Sequence, residues 1–334
     1  MDDVTLHNGD CLEVLRGMPD SCIDLVLTDP PYFKVKGDAW DNQWDKPGQF
    51  LEWLDSVVEQ LARVMKPNGS LYLFASPKMG SRVEALIAGR LNVLNNIRWR
   101  KENGRHKAAS KESLRCFFPA SETIIFAEHY GADNIAKGEA GYIAKCDELR
   151  GFVFEPLRAY IAGEWERAGL TSKDANAATN SQMAGHYLSR VQWTLPTRER
   201  YDQLRAYANK SGGEFLRREY EDLRREYEDL RRPFAVTPEV PYTDTWDFAT
   251  VQAYPGKHPC EKPQALLRHM ISASTKPGAV VLDAFAGTGS AGIACTALGR
   301  KFVGIEKDPH YFEIARQRIA EAVRPSQLEI PCHA

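Results

Sequence analysis

Asp29-Pro30-Pro31-Tyr32 packs a carboxylate, two prolines and a phenol ring into four consecutive residues. Proline fixes φ and removes the backbone donor, so the stretch is stiff and rich in acceptors: the Asp29 carboxylate and the carbonyls around Pro30. Tyr32 and Phe33 add flat apolar faces. The array contains no nucleophile and no set of metal ligands, so the chemistry on offer is hydrogen-bond acceptance and stacking. The run before it, Ile23-Asp24-Leu25-Val26-Leu27, is short, aliphatic and β-branched, and reads as a buried parallel strand. Asp29 then stands where that strand stops, at the edge where open α/β sheets bind ligands.

A second constellation lies near the other end of the chain. Asp283-Ala284-Phe285-Ala286-Gly287-Thr288-Gly289-Ser290 follows an apolar strand (279–282) and opens a helix (290–298). Glycines there let a ligand approach the backbone, and Ala291, Gly292 and Ala294 let the helix sit close on the sheet. Glu306 ends the next strand, at a distance suited to taking both hydroxyls of a ribose. The spacing is not G-x-G-x-x-G, which favours a nucleoside-sized ligand over a dinucleotide; a structural strand-helix turn is the bland alternative. Between residues 98 and 115, seven basic residues, Arg98, Arg100, Lys101, Arg105, Lys107, Lys111 and Arg115, face two acidic ones, with Trp99 and His106 interleaved. This is a candidate phosphate-gripping loop, or else a solvated surface. His258 and Cys260 lack partners at zinc spacing, so no metal is expected.

These residues need elements to position them. Strand and helix patterns alternate from Val4 to Glu128, with apolar residues at helical spacing from Phe50 to Met65, the breaker Lys66-Pro67-Asn68-Gly69, and strands at 70–76, 93–99 and 122–128. Such alternation predicts a parallel sheet. It dissolves over 130–245, which is polar and loop-rich, and returns from 246 onward. One sheet built from both ends of the chain around an insertion is the expected organisation. Within the insertion Leu-Arg-Arg-Glu-Tyr-Glu-Asp occurs at 216–222 and again at 223–229, and a third copy begins at Leu230. Leu216, Tyr220, Leu223, Tyr227 and Leu230 recur at helical steps, predicting an amphipathic helix packed on its own module.

The bulk properties set broad bounds. The chain has 334 residues, 43% hydrophobic and 26% charged, with a formal net charge of −2. It is long enough for a large α/β core plus a module, and any polyanion must be met by a local patch. Its seven cysteines are scattered, without a C-x-x-C pair, which reads as reduced thiols. No apolar run approaches membrane-spanning length and the start is unlike a targeting peptide, so the expectation is a cytoplasmic protein.

Asp29-Pro30-Pro31-Tyr32 together with Asp283-Ala284-Phe285-Ala286-Gly287-Thr288-Gly289 resembles the S-adenosylmethionine-dependent amino-methyltransferases of DNA. The catalytic box comes first, then the insertion, then the cofactor turn, an order similar to the beta class. His258-Pro259-Cys260-Glu261-Lys262-Pro263 looks like the family's H-P-x-x-K-P element, and Asn8-Gly9-Asp10-Cys11 like its N-terminal G-D element. The resemblance implies a Rossmann-like α/β methyltransferase with a mixed seven-stranded sheet, halves at 1–129 and 246–334, and a helical or irregular target-recognition module at 130–245. It implies that Asp29, Pro30, Pro31 and Tyr32 act on a base flipped from double-stranded DNA, an N6-adenine more than an N4-cytosine because the box opens with aspartate. S-adenosyl-L-methionine would be held by Asp10, Cys11, Asp29, His258, Lys262, the turn Asp283, Phe285, Ala286, Gly287, Thr288, Gly289 and Ser290, and by Glu306 with Lys307. Arg98, Arg100, Lys101, Arg105 and Lys107 would grip DNA. A homodimer is expected, as is a restriction-modification setting with any nuclease in another chain. C5-cytosine methylation is excluded, since Cys22 precedes the strand on the wrong side of the sheet.

Overall fold

A computed structural model of the chain describes residues 3–35, 41–101, 115, 117, 119–129, 153–190, 193–236, 243–252 and 261–323. Ile23–Thr28 (β2) is buried on both faces: Ile23 and Val26 pack on one side, Leu25 and Leu27 on the other. A strand of this kind must lie between layers of helix. β2 pairs in parallel with Met65–Ala75 (β3) and with Val280–Asp283 (β7), and beyond β7 come Lys301–Glu306 (β8) and Val4–Asn8 (β1), also parallel. On the other side of β3, Ser121–Glu128 (β5) runs antiparallel and pairs with Asn92–Arg100 (β4). Helices Cys11–Gly17 (α1), Pro47–Val64 (α2) and Gly80–Ala88 (α3) cover one face through Leu15, Leu54 and Val83. Gln264–Ser274 (α8), Ser290–Ala297 (α9) and Pro309–Val323 (α10) cover the other through Leu266, Ala291 and Ile319.

Among the described residues the sheet has eight strands, in the order β1-β8-β7-β2-β3-β5-β4-β6, where seven were expected. The additional strand, Thr245–Asp247 (β6), pairs in parallel with β4 and presents a single buried residue, Trp246. Three residues with one apolar side chain are too short for periodicity to register. What holds them is tertiary: Asp244 carbonyl accepts the Arg98 N–H at 2.7 Å, and Trp99 Nε1 donates to the Phe248 carbonyl at 2.8 Å. Lys66-Pro67-Asn68-Gly69 follows a helix that ends at Val64, as its breakers predict, but lies within β3, where the pairing with β2 shifts register between Ile23 and Leu25. A Cβ on Gly69 would sit 2.9 Å from the Lys66 carbonyl oxygen and 3.1 Å from that of Asp24, which explains the glycine in that bulge.

Residues 129–232 form a second compact unit, separate from 1–128 with 233–334. It is helical: Glu155–Arg167 (α4), Ser172–Thr179 (α5), Arg198–Ala208 (α6) and Tyr220–Leu230 (α7) enclose Leu157, Ile161, Trp165, Tyr201, Leu204 and Leu223. The two repeat copies differ in conformation. Leu223-Arg224-Arg225-Glu226 is helical, whereas Leu216-Arg217-Arg218-Glu219 precedes the helix, with Leu216 at φ 51°. Its backbone is drawn elsewhere: Leu216 N–H donates to Glu164 at 2.9 Å, Arg218 N–H to Tyr160 at 2.8 Å, and the Arg218 carbonyl accepts the Tyr201 hydroxyl at 2.8 Å. Tertiary hydrogen bonds thus override the same helical tetrapeptide.

Gly289 heads α9 at φ 78°, and a Cβ there would lie 3.0 Å from both Ala315 Cβ and Ile319 Cδ1. Gly163 sits inside α4 with no atom within 4 Å of a Cβ. Gly289→Ala should destabilise the protein by ~1–3 kcal/mol, while Gly163→Ala should stabilise its unit by up to ~1 kcal/mol. Thermal melts of the two variants should therefore move in opposite directions from the parent.

Candidate active site

Four adjacent parallel strands end at one edge, and each delivers a carboxylate there: Asp10 just after β1, Glu306 on β8, Asp283 on β7 and Asp29 just after β2. All four line a cavity of about 470 Å³ that Pro30, Pro31, Tyr32, Phe285, Gly287 and Lys307 also line. Cys11, Lys262, Ala286, Thr288 and Ser290 are part of the same wall. Gly289 stands behind it as the first residue before α9. His258 lies outside the described residues.

On the Gly-rich side, backbone amides and carboxylates lock together. Glu306 accepts the Gly287 N–H and the Asp308 N–H at 2.8 Å each, one on each oxygen, and burial raises its affinity for protons. Each oxygen keeps a further acceptor site. Asp10 caps α1 by accepting the Leu12 N–H at 3.0 Å and meets Lys307 Nζ at 3.2 Å, while the Gly9 N–H donates to the Glu306 carbonyl at 3.0 Å. Thr28 Oγ donates to Asp283 at 2.9 Å and accepts the Ala284 N–H at 3.1 Å, stitching β2 to β7. Burial pushes the Asp283 carboxyl up to about 7, although Phe285 N–H and Thr28 favour its charge. Burial likewise lifts the Cys11 thiol to about 12, so it stays protonated and supplies no nucleophile.

On the Asp-Pro-Pro-Tyr side, a buried cluster of charge surrounds Asp29. Lys262 Nζ pairs with Asp29 Oδ2, and lies 3.5 Å from Glu122 Oε2 and over the Phe74 ring at 4.7 Å. Glu122 in turn is gripped by Lys101 and sits 3.5 Å from the Tyr32 hydroxyl. Asp29 Oδ1 is buried and has no hydrogen-bond partner among the described residues. Burial raises the Asp29 pKa and the Glu122 charge adds to it, while Lys262 and, to a smaller extent, the Tyr32 side chain oppose it. Burial acts on Glu122 in the same sense, but Lys262 and Lys101 together outweigh it and hold it below the usual range. Tyr32 keeps its amide, which donates to the buried Asp41 at 2.6 Å. Phe33 packs against Phe50 on the opposite face of the sheet, so Tyr32 is the ring left at the cavity. Trp44, in the loop that follows, packs at a tilt against Trp53 with ring centroids 4.7 Å apart, and Trp53 reaches Phe285 at 5.8 Å as one aromatic wall.

The basic stretch is only partly within the described residues. Arg98 donates to Thr123 at 3.0 Å, Arg100 pairs with Asp247, and Lys101 is spent on Glu122; Arg105 and Lys107 lie outside. Sequence reasoning missed Thr28, Asp41, Trp53 and Glu122 as parts of the site. The one available signal for Glu122 was a carboxylate opening an otherwise apolar strand.

A family model described as DNA methylase matches residues 23–317. The chain belongs to the DNA methylase family. Among curated relatives, the type II methyltransferase M.HinfI of Haemophilus influenzae is 24% identical, the match covering 98% of this chain and 70% of that one. The type II methyltransferase M2.DpnII of Streptococcus pneumoniae is 25% identical over 94% of this chain and 88% of its own. The fold is shared with a candidate DNA modification methylase from Thermus thermophilus, solved with S-adenosyl-L-methionine, at a TM-score of 0.51, 20% identity, and 96% and 94% coverage. It is shared too with the cytosine-N4-specific PvuII DNA methyltransferase, at 0.55, 13% identity, and 96% and 91% coverage.

In this DNA methylase the Asp283 carboxyl has a testable linkage. Its folded pKa of about 7 lies above its ordinary value of 3.8, so its contribution to stability is full below that ordinary value and is lost as pH rises towards 7. Asp283→Asn keeps the acceptor oxygen and removes the titration. The melting temperature of the variant relative to the parent should climb between about pH 4 and 7 and level off above. A difference that stays flat across that window contradicts the assignment.

Proposed function

We propose that this DNA methylase transfers the methyl group of S-adenosyl-L-methionine to the N6 amine of an adenine turned out of double-stranded DNA. The observation that carries the reading is Asp29 Oδ1, a buried carboxylate oxygen without a hydrogen-bond partner among the described residues, on a residue that lines the cavity at the carboxyl edge of the sheet. A buried acceptor left unpaired costs about 1–3 kcal/mol, so an N–H brought to it recovers that cost. An exocyclic base amine is a poor nucleophile because its lone pair is delocalised into the ring. Asp29 Oδ1 and the Pro30 carbonyl accepting its two N–H bonds favour a pyramidal nitrogen with a localised lone pair. Tyr32 offers the ring on which the base stacks, offsetting part of the cost of unstacking it from the duplex. Because burial raises its proton affinity, Asp29 is also placed to hold the proton that the amine sheds.

The residues opposite fit the methyl donor. Glu306 and Asp10 present carboxylates for hydroxyl and amino groups, the turn from Phe285 to Thr288 offers a close-approach backbone, and Trp53 and Phe285 give an apolar wall within a nucleoside-sized cavity. When bound there, S-adenosyl-L-methionine supplies an electrophilic methyl group on a sulfonium. Lys262 and, by family resemblance, His258 belong near its methionine end. We assign target recognition to the helical unit 129–232, with Arg105 and Lys107 as candidate phosphate contacts, and expect a homodimer acting on DNA in the bacterial or phage-infected cytoplasm. N4-cytosine methylation is the second reading: the same two acceptors suit its amine, and the PvuII enzyme shares the fold. The aspartate that opens the box favours adenine.

With methyl-labelled donor and mixed-sequence duplex DNA, the purified protein should label the DNA. Asp29→Ala should retain donor binding by calorimetry and lose at least ~100-fold in single-turnover rate. An unchanged rate in that variant contradicts the mechanism.

A further inference from the structure

The charge cluster behind the Asp-Pro-Pro-Tyr box contains two residues for which the reading above has no task. Glu122 stands at the start of β5, and Lys101 follows β4, the strand paired with it. Their side chains are 13% and 23% exposed, and they form an ion pair. Glu122 Oε2 lies 3.5 Å from Lys262 Nζ and 3.5 Å from the Tyr32 hydroxyl, which donates to it. One carboxylate therefore touches both the lysine that holds Asp29 and the ring that is to stack on the base. It reaches them from the antiparallel side of the sheet, while Asp29 ends a parallel strand.

We propose that Glu122, anchored by Lys101, is a positioning residue: by sharing Lys262 with Asp29 it keeps Oδ2 of Asp29 on the lysine, leaves Oδ1 for the amine, and fixes the Tyr32 hydroxyl. The inference rests on the reading of this cavity as a site of methyl transfer to a base. Among the described residues the cluster sets two ammonium groups, Lys262 and Lys101, against two carboxylates, Asp29 and Glu122, and Lys262 lies near both anions. Without the Glu122 charge, Lys262 is drawn wholly to Asp29 and competes with the amine for it. Without Lys101, Lys262 is drawn towards Glu122 and away from Asp29. Among the described residues, the charged and titratable groups facing Asp29 are Lys262 before α8, Glu122 on β5, Tyr32 in its own loop and Asp283 at the end of β7. Asp29 must be ionised to take the proton that the amine sheds, so its titration sets the acid limb of the rate profile.

The test is the pH profile of kcat and kcat/KM at saturating methyl donor for the parent enzyme, Glu122→Gln, Glu122→Asp and Lys101→Gln. Glu122→Gln should bind donor and DNA as the parent does, lose at least about tenfold in kcat and move the acid limb down by about one pH unit. Lys101→Gln should move the limb up, and Glu122→Asp should recover part of the rate. If Glu122→Gln does not fold, the upward shift in Lys101→Gln carries the proposal and its absence overturns it. An unmoved limb in both variants, whether or not the rate falls, overturns it as well, since a merely structural role predicts that result. Lack of DNA methylation by the parent, or full activity of Asp29→Ala, overturns the methyl-transfer reading itself and this proposal with it.

Discussion

The Asp29–Lys262 ion pair joins residues 233 positions apart in a setting where neither charge is well solvated, and the rest of the site is arranged around it. A carboxylate at the end of a fully buried strand must find a cation or give up its charge. Here it finds one because the chain's far half returns to the same sheet: β7 lies beside β2, and Lys262, just before α8, reaches Asp29 at the end of β2. The pair occupies one oxygen of Asp29 and leaves the other unpaired. That asymmetry leaves a buried acceptor open at the cavity, the feature on which the proposed reading rests.

The sheet explains why this is possible. The C-terminal strands β8 and β7 lie between the N-terminal strands β1 and β2, so carboxylates far apart in sequence converge within one cavity. Thr28 joins β2 to β7 through Asp283, and Gly9 and Asn8 join β1 to β8 through the Glu306 carbonyl. The antiparallel strands β4 and β5 contribute on the other flank, where Glu122 and Lys101 neutralise the cluster. The helical unit 129–232 occupies the excursion between the halves, and its core is closed by its own residues. Its Leu-Arg-Arg-Glu copies show that a length of chain can be duplicated there without both copies keeping one conformation.

The parts of the site legible in sequence were those whose signal is local. Two prolines after a carboxylate, a glycine-rich turn between a strand and a helix, short apolar runs and apolar residues at helical spacing pointed to Asp29, the 283–290 turn and the parallel strands. The unread parts depend on partners distant in sequence. Nothing near Glu122 or Lys101 announces that they meet, and Arg98, Arg100 and Lys101 looked like free charges because the carboxylates and hydroxyl that take them up, Asp247, Glu122 and Thr123, lie on other strands. β6 escaped notice because three residues carry no period. Leu216 was placed on a helix because its spacing fits one, and tertiary hydrogen bonds from Glu164, Tyr160 and Tyr201 moved it off.

The most direct measurement is the identity of the methylated nucleoside. Duplex DNA treated with the protein and methyl-labelled donor would be digested to nucleosides and separated by chromatography. The account predicts label in N6-methyl-2′-deoxyadenosine, the product of an exocyclic amine held by Asp29 and Pro30. Label in N4-methyl-2′-deoxycytidine would contradict the choice of base while keeping the chemistry, and label in C5-methyl-2′-deoxycytidine would contradict the chemistry itself.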